Sequence, residues 1–165
     1  GDYPYYPDVQ SITDSADVII VGEVVTSGDV QDLMVDRTPG KEDKEPIQYT
    51  LSTVEVTEVI SGDVQVGDIL TVKQIGDYKN LPEATLKETD GYLKAGQTEL
   101  MFLASYENSP YSAVNPAQGT IEVLDGGELF SASKCSLWGY NDTSTRSAGS
   151  VDTLTDAIAE IKDCL

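Results

Sequence analysis

The segment of residues 47–60 constrains the fold most, because its apolar residues follow the two-residue period of a β-strand and change phase once. In its first part the apolar residues Ile47, Tyr49 and Leu51 are odd-numbered, whereas further on Val54, Val56 and Ile60 are even-numbered. Alternate residues of a strand face opposite sides of a sheet, so the change predicts a β-bulge near Thr53 or a bend from one sheet face to another. Long bent strands are typical of small closed barrels. The segment therefore predicts a small β-barrel.

Short apolar runs separated by turn residues predict the remaining strands. Residues 17–26 are rich in β-branched side chains, and Gly22 within them predicts a bulge or a sharp bend. Residues 30–35 either continue that strand or form its hairpin partner. The other predicted strands are residues 69–72, 100–104, 111–114, 120–124 and 128–131.

Apolar residues with the three- and four-residue spacing of a helix occur near the two ends of the chain. Residues 8–16 predict a short helix that follows Pro7. A second stripe with steps of three and four residues consists of Val151, Leu154, Ile158, Ile161 and Leu165, with Ser150 as its predicted N-cap. A chain of 165 residues fits one domain. We expect residues 1–7 to be an N-terminal tether, 8–131 the barrel region, and 132–165 a loop and the C-terminal helix.

The charge of the chain excludes several partners. It has 29 acidic and 10 basic residues, for a formal net charge of -19. That charge repels nucleic acid and anionic lipid surfaces, so we expect neither as a partner. Histidine is absent, which excludes Ser–His and Cys–His nucleophiles and removes the commonest general base. No apolar run is long enough to span a bilayer, so we expect no transmembrane segment.

The cysteines bear on the cellular compartment. Cys135 and Cys164 are the two cysteines, both in the last third of the chain. They predict one disulfide in an oxidising compartment, and two unrelated buried thiols are the alternative. The chain begins Gly1-Asp2 without an initiator Met, and we expect a secretory or lipoprotein leader, with a lipid anchor, upstream. These features predict an extracellular or membrane-anchored protein at the cell surface.

The order of the predicted strands supports a resemblance to known proteins. It rests on residues 16–24, 49–63, 66–72 and 93–103, which include the run Val56-Thr57-Glu58-Val59-Ile60-Ser61-Gly62-Asp63. This order resembles uncharacterised secreted and lipoprotein domains of Gram-positive bacteria. More distantly, it is similar to the netrin-like barrel of the tissue inhibitors of metalloproteinases. The resemblance implies a mostly β fold, a small OB-type or netrin-like barrel with a short N-terminal helix and a C-terminal helix.

The resemblance does not extend to inhibition of metalloproteinases. Those inhibitors use an N-terminal Cys to chelate the target zinc, and this chain begins with Gly1-Asp2. The family's disulfides are also missing, apart from any bond between Cys135 and Cys164. The resemblance therefore implies a fold and a compartment.

Four aromatic residues are the candidate contacts for a ligand. They are Tyr5, Tyr6, Trp138 and Tyr140. Tyr and Trp on exposed loops are good contact residues for sugars, peptides and proteins. For Trp138 the alternative is a core role, in which the indole caps one end of the barrel.

Acidic residues supply the competing hypothesis of a carboxylate-dependent extracellular hydrolase. The candidate acid/base pairs are Glu55 with Glu58 and Asp63 with Asp68, and solvated surface charge is the alternative for both. A loose calcium site from Asp29, Asp32 and Asp36 is a further hypothesis. The sequence does not assign a metal.

The sequence favours a monomeric binding module without a cofactor or enzymatic activity. Its polar residues show no catalytic motif spacing, whereas its apolar residues are accounted for by strands and helices. We expect a secreted or cell-envelope module whose partner is a protein or a glycan, with a neutral or basic surface that suits the acidic chain.

Overall fold

The computed structural model describes residues 3–36, 44–79, 91–140 and 152–165. Within them the protein is mostly β, as predicted, with two helices. The helices are α1 (Val9–Ser15) and α2 (Leu154–Asp163). The strands are β1 (Val18–Asp36), β2 (Lys44–Ser61), β3 (Ile69–Ile75), β4 (Thr98–Tyr106), β5 (Ser109–Ala113), β6 (Thr120–Val123) and β7 (Leu129–Phe130).

The strands form one mixed sheet that closes on itself. Its order is β1-β2-β3-β5-β4-β6-β7, and β1 also pairs with β4. The first five strands in that order therefore form a ring, and β6 and β7 extend the sheet beyond β4. Strands β3 and β5 pair in parallel at Val72 and Tyr111, while the other pairings are antiparallel.

Strand β1 runs through the position where the sequence allowed either one strand or a hairpin. Residues 30–35 continue β1, which pairs with β2 along most of its length. The register shifts between Val21 and Gly22, which agrees with the predicted irregularity at Gly22. A side chain at Gly22 would collide with Val54 of β2, so only glycine lets the two strands approach this closely.

The predicted bulge near Thr53 lies on the opposite strand. The register of β2 against β3 is regular from Tyr49 to Glu55, whereas β1 has its irregularities where it passes Thr53. The even-numbered residues of β2 from Thr50 to Val56 face inward, because Thr50 and Ser52 are as buried as Val54. The Thr50 hydroxyl donates to the carbonyl of Gly76 at 2.8 Å, which allows a polar side chain at an inward position.

Two apolar clusters share strands β1 and β4. One cluster lines the inside of the ring and includes Ile20, Met101 and Val72. The other covers the outer face of β1, β4 and β6, where Ile19 and Phe102 pack against the helices. Because alternate residues of β1 and β4 enter different clusters, residues 18–22 of β1 and 99–103 of β4 are buried on both faces. This agrees with the apolar runs that predicted them.

The helices close the outer cluster. Helix α1 begins at the N-cap Asp8, whose side chain and that of Ser11 form a reciprocal capping box. Helix α2 has Thr153 as its N-cap, while the predicted N-cap Ser150 lies outside the described residues. Of the helices described, neither has the length and apolar character needed to cross a membrane.

Candidate functional site

The four candidate aromatic residues divide into two exposed and two buried side chains. Tyr5 and Tyr140 are exposed, with 64% and 43% of their surface accessible. Tyr6 and Trp138 are buried, and both belong to the outer apolar cluster. The expectation that all four are exposed is therefore wrong for Tyr6 and Trp138, because their rings complete the core beneath the helices.

Trp138 has the core role that was its alternative reading. Its ring stacks on Phe102 with a centroid separation of 5.9 Å. Its indole N–H donates to Glu160 Oε2 at 3.0 Å, which connects the loop after β7 to α2. The sequence around Trp138 is polar and rich in Gly and Ser, so it does not indicate a core position. The partners Phe102 and Glu160 are both distant in sequence.

Tyr6 is held by a buried glutamine. Gln118 Oε1 accepts from the Tyr6 N–H at 3.0 Å, and Gln118 Nε2 donates to the Tyr6 carbonyl at 2.8 Å. Within the predicted tether, Tyr6 is therefore held against the domain by its backbone and its buried ring. The same Nε2 donates to the carbonyl of Cys135 at 2.9 Å.

The predicted disulfide between Cys135 and Cys164 is absent, and both cysteines are free. Cys135 is exposed on the loop after β7, and its carbonyl is held by Gln118. Cys164 is the C-cap of α2, and its carbonyl accepts from Gln10 of α1. Each backbone position is fixed by a different partner, and the two thiols are not at disulfide distance.

The predicted acidic pairs do not form a cleft in the described part of the chain. Glu55 and Glu58 are both exposed, and a spacing of three along β2 directs them to opposite faces. Asp63 is exposed, and Asp68 closes a turn by accepting the Gln65 N–H at 2.9 Å.

No group of three or more possible metal-ligating residues converges among the residues described. Of the residues in the hypothetical calcium site, Asp36 has a side chain that lies outside the described part of the structure. Asp29 accepts a hydrogen bond from Gln31 at 2.7 Å. The structure thus leaves the predicted metal site unassigned.

A different pair of carboxylates comes together on β4 and β6. Glu99 and Glu122 are directly opposite in the antiparallel register, and both are buried. They line an open cavity together with Tyr92, Gln97 and Thr120. The sequence analysis missed this pair because the register between β4 and β6 is a tertiary feature.

A buried lysine organises the most distinctive cluster of polar groups. Lys73 lies in the middle of β3, and only 7% of its surface is accessible. Its Nζ donates to Ser109 Oγ, and to the carbonyl of Pro110 at 3.0 Å. Both acceptors belong to the start of β5, so the lysine links β3 to β5 next to their short parallel pairing.

Tyrosine rings surround the same ammonium group. The Lys73 Nζ lies 3.9 Å from the centroid of the Tyr106 ring and 5.6 Å from that of Tyr49. Tyr106 ends β4 and is half exposed, and its hydroxyl hydrogen bonds to Ser112 at 2.9 Å. An ammonium over a ring face is attracted by the ring quadrupole. The rings therefore stabilise Lys73 and are oriented by it.

Tyr3 completes this cluster from the N-terminal segment. Tyr3 keeps 44% of its surface exposed, and the burial of the remainder raises its pKa, which the neighbouring Tyr106 phenol raises further. Burial likewise raises the pKa of Tyr49, with smaller contributions from Tyr3 and Tyr106. The phenols are thus close enough to affect each other's ionisation. We call Tyr3, Tyr49 and Tyr106, together with Lys73, the tyrosine surface.

The chemistry of Lys73 is that of a hydrogen-bond donor. Burial lowers the pKa of Lys73, and its partners in the described residues are neutral. However, its N–H groups are directed at two oxygen acceptors and a ring face, an arrangement that uses the protonated amine. A lysine that acts as a general base needs a free lone pair directed at its substrate. The geometry therefore favours positioning over catalysis.

The sequence analysis did not single out Lys73, Tyr49 or Tyr106. The available signal was a lysine flanked by Val72 and followed by Gln74-Ile75 within an apolar strand. Comparison with known proteins adds no assignment, because the chain matches no family model and no curated protein.

Proposed function

We propose that the protein is a non-catalytic binding module and that the tyrosine surface is its contact site. The observation that carries this proposal is the arrangement of Tyr49 and Tyr106 around the buried Lys73 ammonium. Ring faces held in place by a buried group lose little conformational freedom when they meet a ligand. Tyr rings also combine a large apolar area with a polar hydroxyl, which makes them effective contact residues.

We also propose that the ring of five strands is an OB-type barrel. The order β1-β2-β3-β5-β4 with pairing of β4 back to β1, and the parallel pairing of β3 with β5, support this assignment. In OB-folds, ligands bind at the face of strands 2 and 3 and at the loops between strands 1 and 2 and strands 4 and 5. Tyr49 on β2, Lys73 on β3 and Tyr106 at the β4–β5 turn occupy the corresponding positions. The netrin-like resemblance stays a prediction.

A neutral glycan is the ligand class that fits this surface best. A sugar ring has an apolar face and a rim of hydroxyls, which suit the Tyr rings and the hydroxyls of Tyr106, Ser109 and Ser112. The net charge of -19 opposes polyanionic ligands such as nucleic acid. A protein partner is the competing ligand, and the experiment below distinguishes the two. We propose with it that the protein is located outside the cell or at the cell surface, as this function requires.

The experiment is a binding screen of the full chain against immobilised neutral polysaccharides, with a polyanionic polysaccharide and a protein mixture as comparisons. We expect retention on at least one neutral polysaccharide, and release by the matching soluble oligosaccharide. Retention only by protein would replace the glycan with a protein partner. Binding that survives Tyr106→Ala combined with Tyr49→Ala would remove the tyrosine surface as the site.

The buried pair Glu99 and Glu122 favours a second candidate function, a carboxylate-dependent hydrolase. Two carboxyl groups placed opposite each other in a cavity are the minimum constellation for glycoside hydrolysis. The test is release of reducing sugar from the polysaccharides that the protein retains. Turnover that disappears in both Glu99→Gln and Glu122→Gln would support the hydrolase over the binding module.

A further inference from the structure

The segment Tyr3–Pro7 is bound to the domain as a peptide is bound to a receptor. It has no regular secondary structure, and its sequence is Tyr3-Pro4-Tyr5-Tyr6-Pro7. Asn115 Nδ2 donates to the Pro4 carbonyl at 2.9 Å, and Gln118 makes the two hydrogen bonds to the backbone of Tyr6. Side-chain amides thus take the place of a neighbouring strand. We call this segment the strap, and Asn115 with Gln118 the strap groove.

One side chain anchors the strap. The Tyr6 ring is buried in the outer apolar cluster, whereas Tyr3, Pro4, Tyr5 and Pro7 are exposed. A buried aromatic ring in a packed pocket is the kind of residue that carries much of the binding energy of a protein interface. The prolines also restrict the unbound segment, so less conformational entropy is lost when it docks.

The groove is organised independently of the strap. Asn115 Oδ1 accepts the N–H groups of Ala117 at 2.7 Å and Gln118 at 3.0 Å, which orients the asparagine side chain. The hydrogen bond from Gln118 Nε2 to the Cys135 carbonyl orients the glutamine, which is only 1% exposed. Both amides are therefore directed at the strap by groups that remain when the strap leaves.

We infer that the strap docks reversibly and that its groove is a peptide-binding site, which accepts the same Tyr-Pro sequence in trans. The hydrogen bonds between the strap and its groove are made by the strap backbone at Pro4 and Tyr6, so they do not depend on a covalent connection to α1. Specificity comes from the anchor, because the Tyr6 pocket takes an aromatic ring of that size. Undocking of the strap would also remove Tyr3 from the tyrosine surface. This last consequence rests on the proposed function, whereas the peptide site does not.

The test uses the full chain with Tyr6→Ala and the synthetic peptide acetyl-Tyr-Pro-Tyr-Tyr-Pro-amide. The substitution removes the anchor of the strap and vacates its pocket. We expect the peptide to bind Tyr6→Ala at least about tenfold more tightly than it binds the wild type, whose own strap competes. A peptide with alanine at its fourth position, the counterpart of Tyr6, is the control and should not bind. Equal binding to both proteins, or binding of the control peptide, would overturn the inference.

A measurement on the wild type covers the case in which Tyr6→Ala does not fold. Reversible docking predicts that the Tyr6 amide exchanges with solvent through a local opening, faster than the amides of Leu100 and Met101 by at least about tenfold. Exchange of Tyr6 only at the rate of global unfolding would contradict reversible docking. Neither measurement involves a glycan, so failure of the strap inference and failure of the proposed function are distinguishable.

Discussion

The Lys73 ammonium nitrogen lies 3.9 Å from the centroid of the Tyr106 ring. The lysine comes from the middle of β3 and the tyrosine from the end of β4, and the hydrogen bonds of the lysine link β3 to the start of β5. One buried cation therefore connects three strands and orients an exposed ring. The contact between Lys73 and Tyr106 thus connects the strands that close the sheet to the surface that we propose binds a ligand.

Replacing the cation should alter how stability depends on pH. For Lys73→Met we expect the free energy of unfolding at neutral pH to change by less than about 1 kcal/mol, because the desolvation penalty of the charge offsets its contacts. Burial holds the pKa of Lys73 below its ordinary value of 10.5. Between the pKa of Lys73 in the folded protein and its ordinary value in the unfolded chain, the unfolded chain binds more protons. The wild type therefore gains stability relative to the variant as pH rises through this range. Urea unfolding from neutral pH to about pH 10.5 measures the difference, and a constant difference would contradict the assignment.

Loss of the Gln118 side-chain amide should be costly. Gln118→Leu leaves the N–H and carbonyl of Tyr6 and the carbonyl of Cys135 without their partner. The two Tyr6 groups lie in buried contacts, and each buried group without a partner costs roughly 1–3 kcal/mol, so we expect a loss of about 3 kcal/mol. Gln65→Leu, at an exposed position, is the matched control and should change stability by less than about 0.5 kcal/mol. Similar unfolding midpoints for the two variants would argue against the strap contacts.

The contact between Trp138 and Glu160 should be measurable as a coupling energy. Trp138→Phe keeps a ring beside Phe102 and removes the indole N–H, and Glu160→Ala removes its acceptor. A double-mutant cycle by chemical denaturation should give a coupling of about 1 kcal/mol. Additive effects of the two substitutions would indicate that α2 is not held through this hydrogen bond.

The two cysteines should be free and should differ in reactivity. Cys135 is exposed, whereas Cys164 is half-buried. Burial raises the pKa of Cys164, and the carboxylates of Asp14, Asp163, Asp8 and Glu160 raise it further. Because the thiolate is the reactive form, we expect Cys135 to react first with a disulfide reagent and Asp14→Asn to accelerate Cys164. Non-reduced protein with no titratable thiol would restore the disulfide hypothesis.

The sequence predicts the strands and helices well because their apolar periods are local. The long β2, the bulge at Gly22 and the stripe of α2 all follow from residue spacing. The inward positions of Thr50 and Ser52 were missed because hydropathy assigns Thr and Ser to the surface. For Thr50, a hydrogen bond to Gly76 makes burial acceptable, and only the tertiary structure provides it.

The residues of the tyrosine surface were not predicted from the sequence. Tyrosine was identified as the contact residue, yet Tyr6 and Trp138 proved to be core residues, because their partners Gln118 and Phe102 are distant in sequence. A lysine within a strand reads as a solvated residue until its acceptors are known. The acceptors of Lys73 lie more than thirty residues away on β5. The spacing of residues along the sequence does not reveal long-range contacts of this kind.

The most direct test of the account is calorimetric titration of the tyrosine variants with a neutral oligosaccharide selected by the binding screen. Tyr106→Ala should weaken binding about tenfold or more, because a stacked ring contributes roughly 1.4 kcal/mol or more to such a contact. Tyr140→Ala, at a similarly exposed tyrosine outside the tyrosine surface, should change the affinity by less than about twofold. Unchanged binding by Tyr106→Ala, or no neutral oligosaccharide bound by the wild type, would contradict the account.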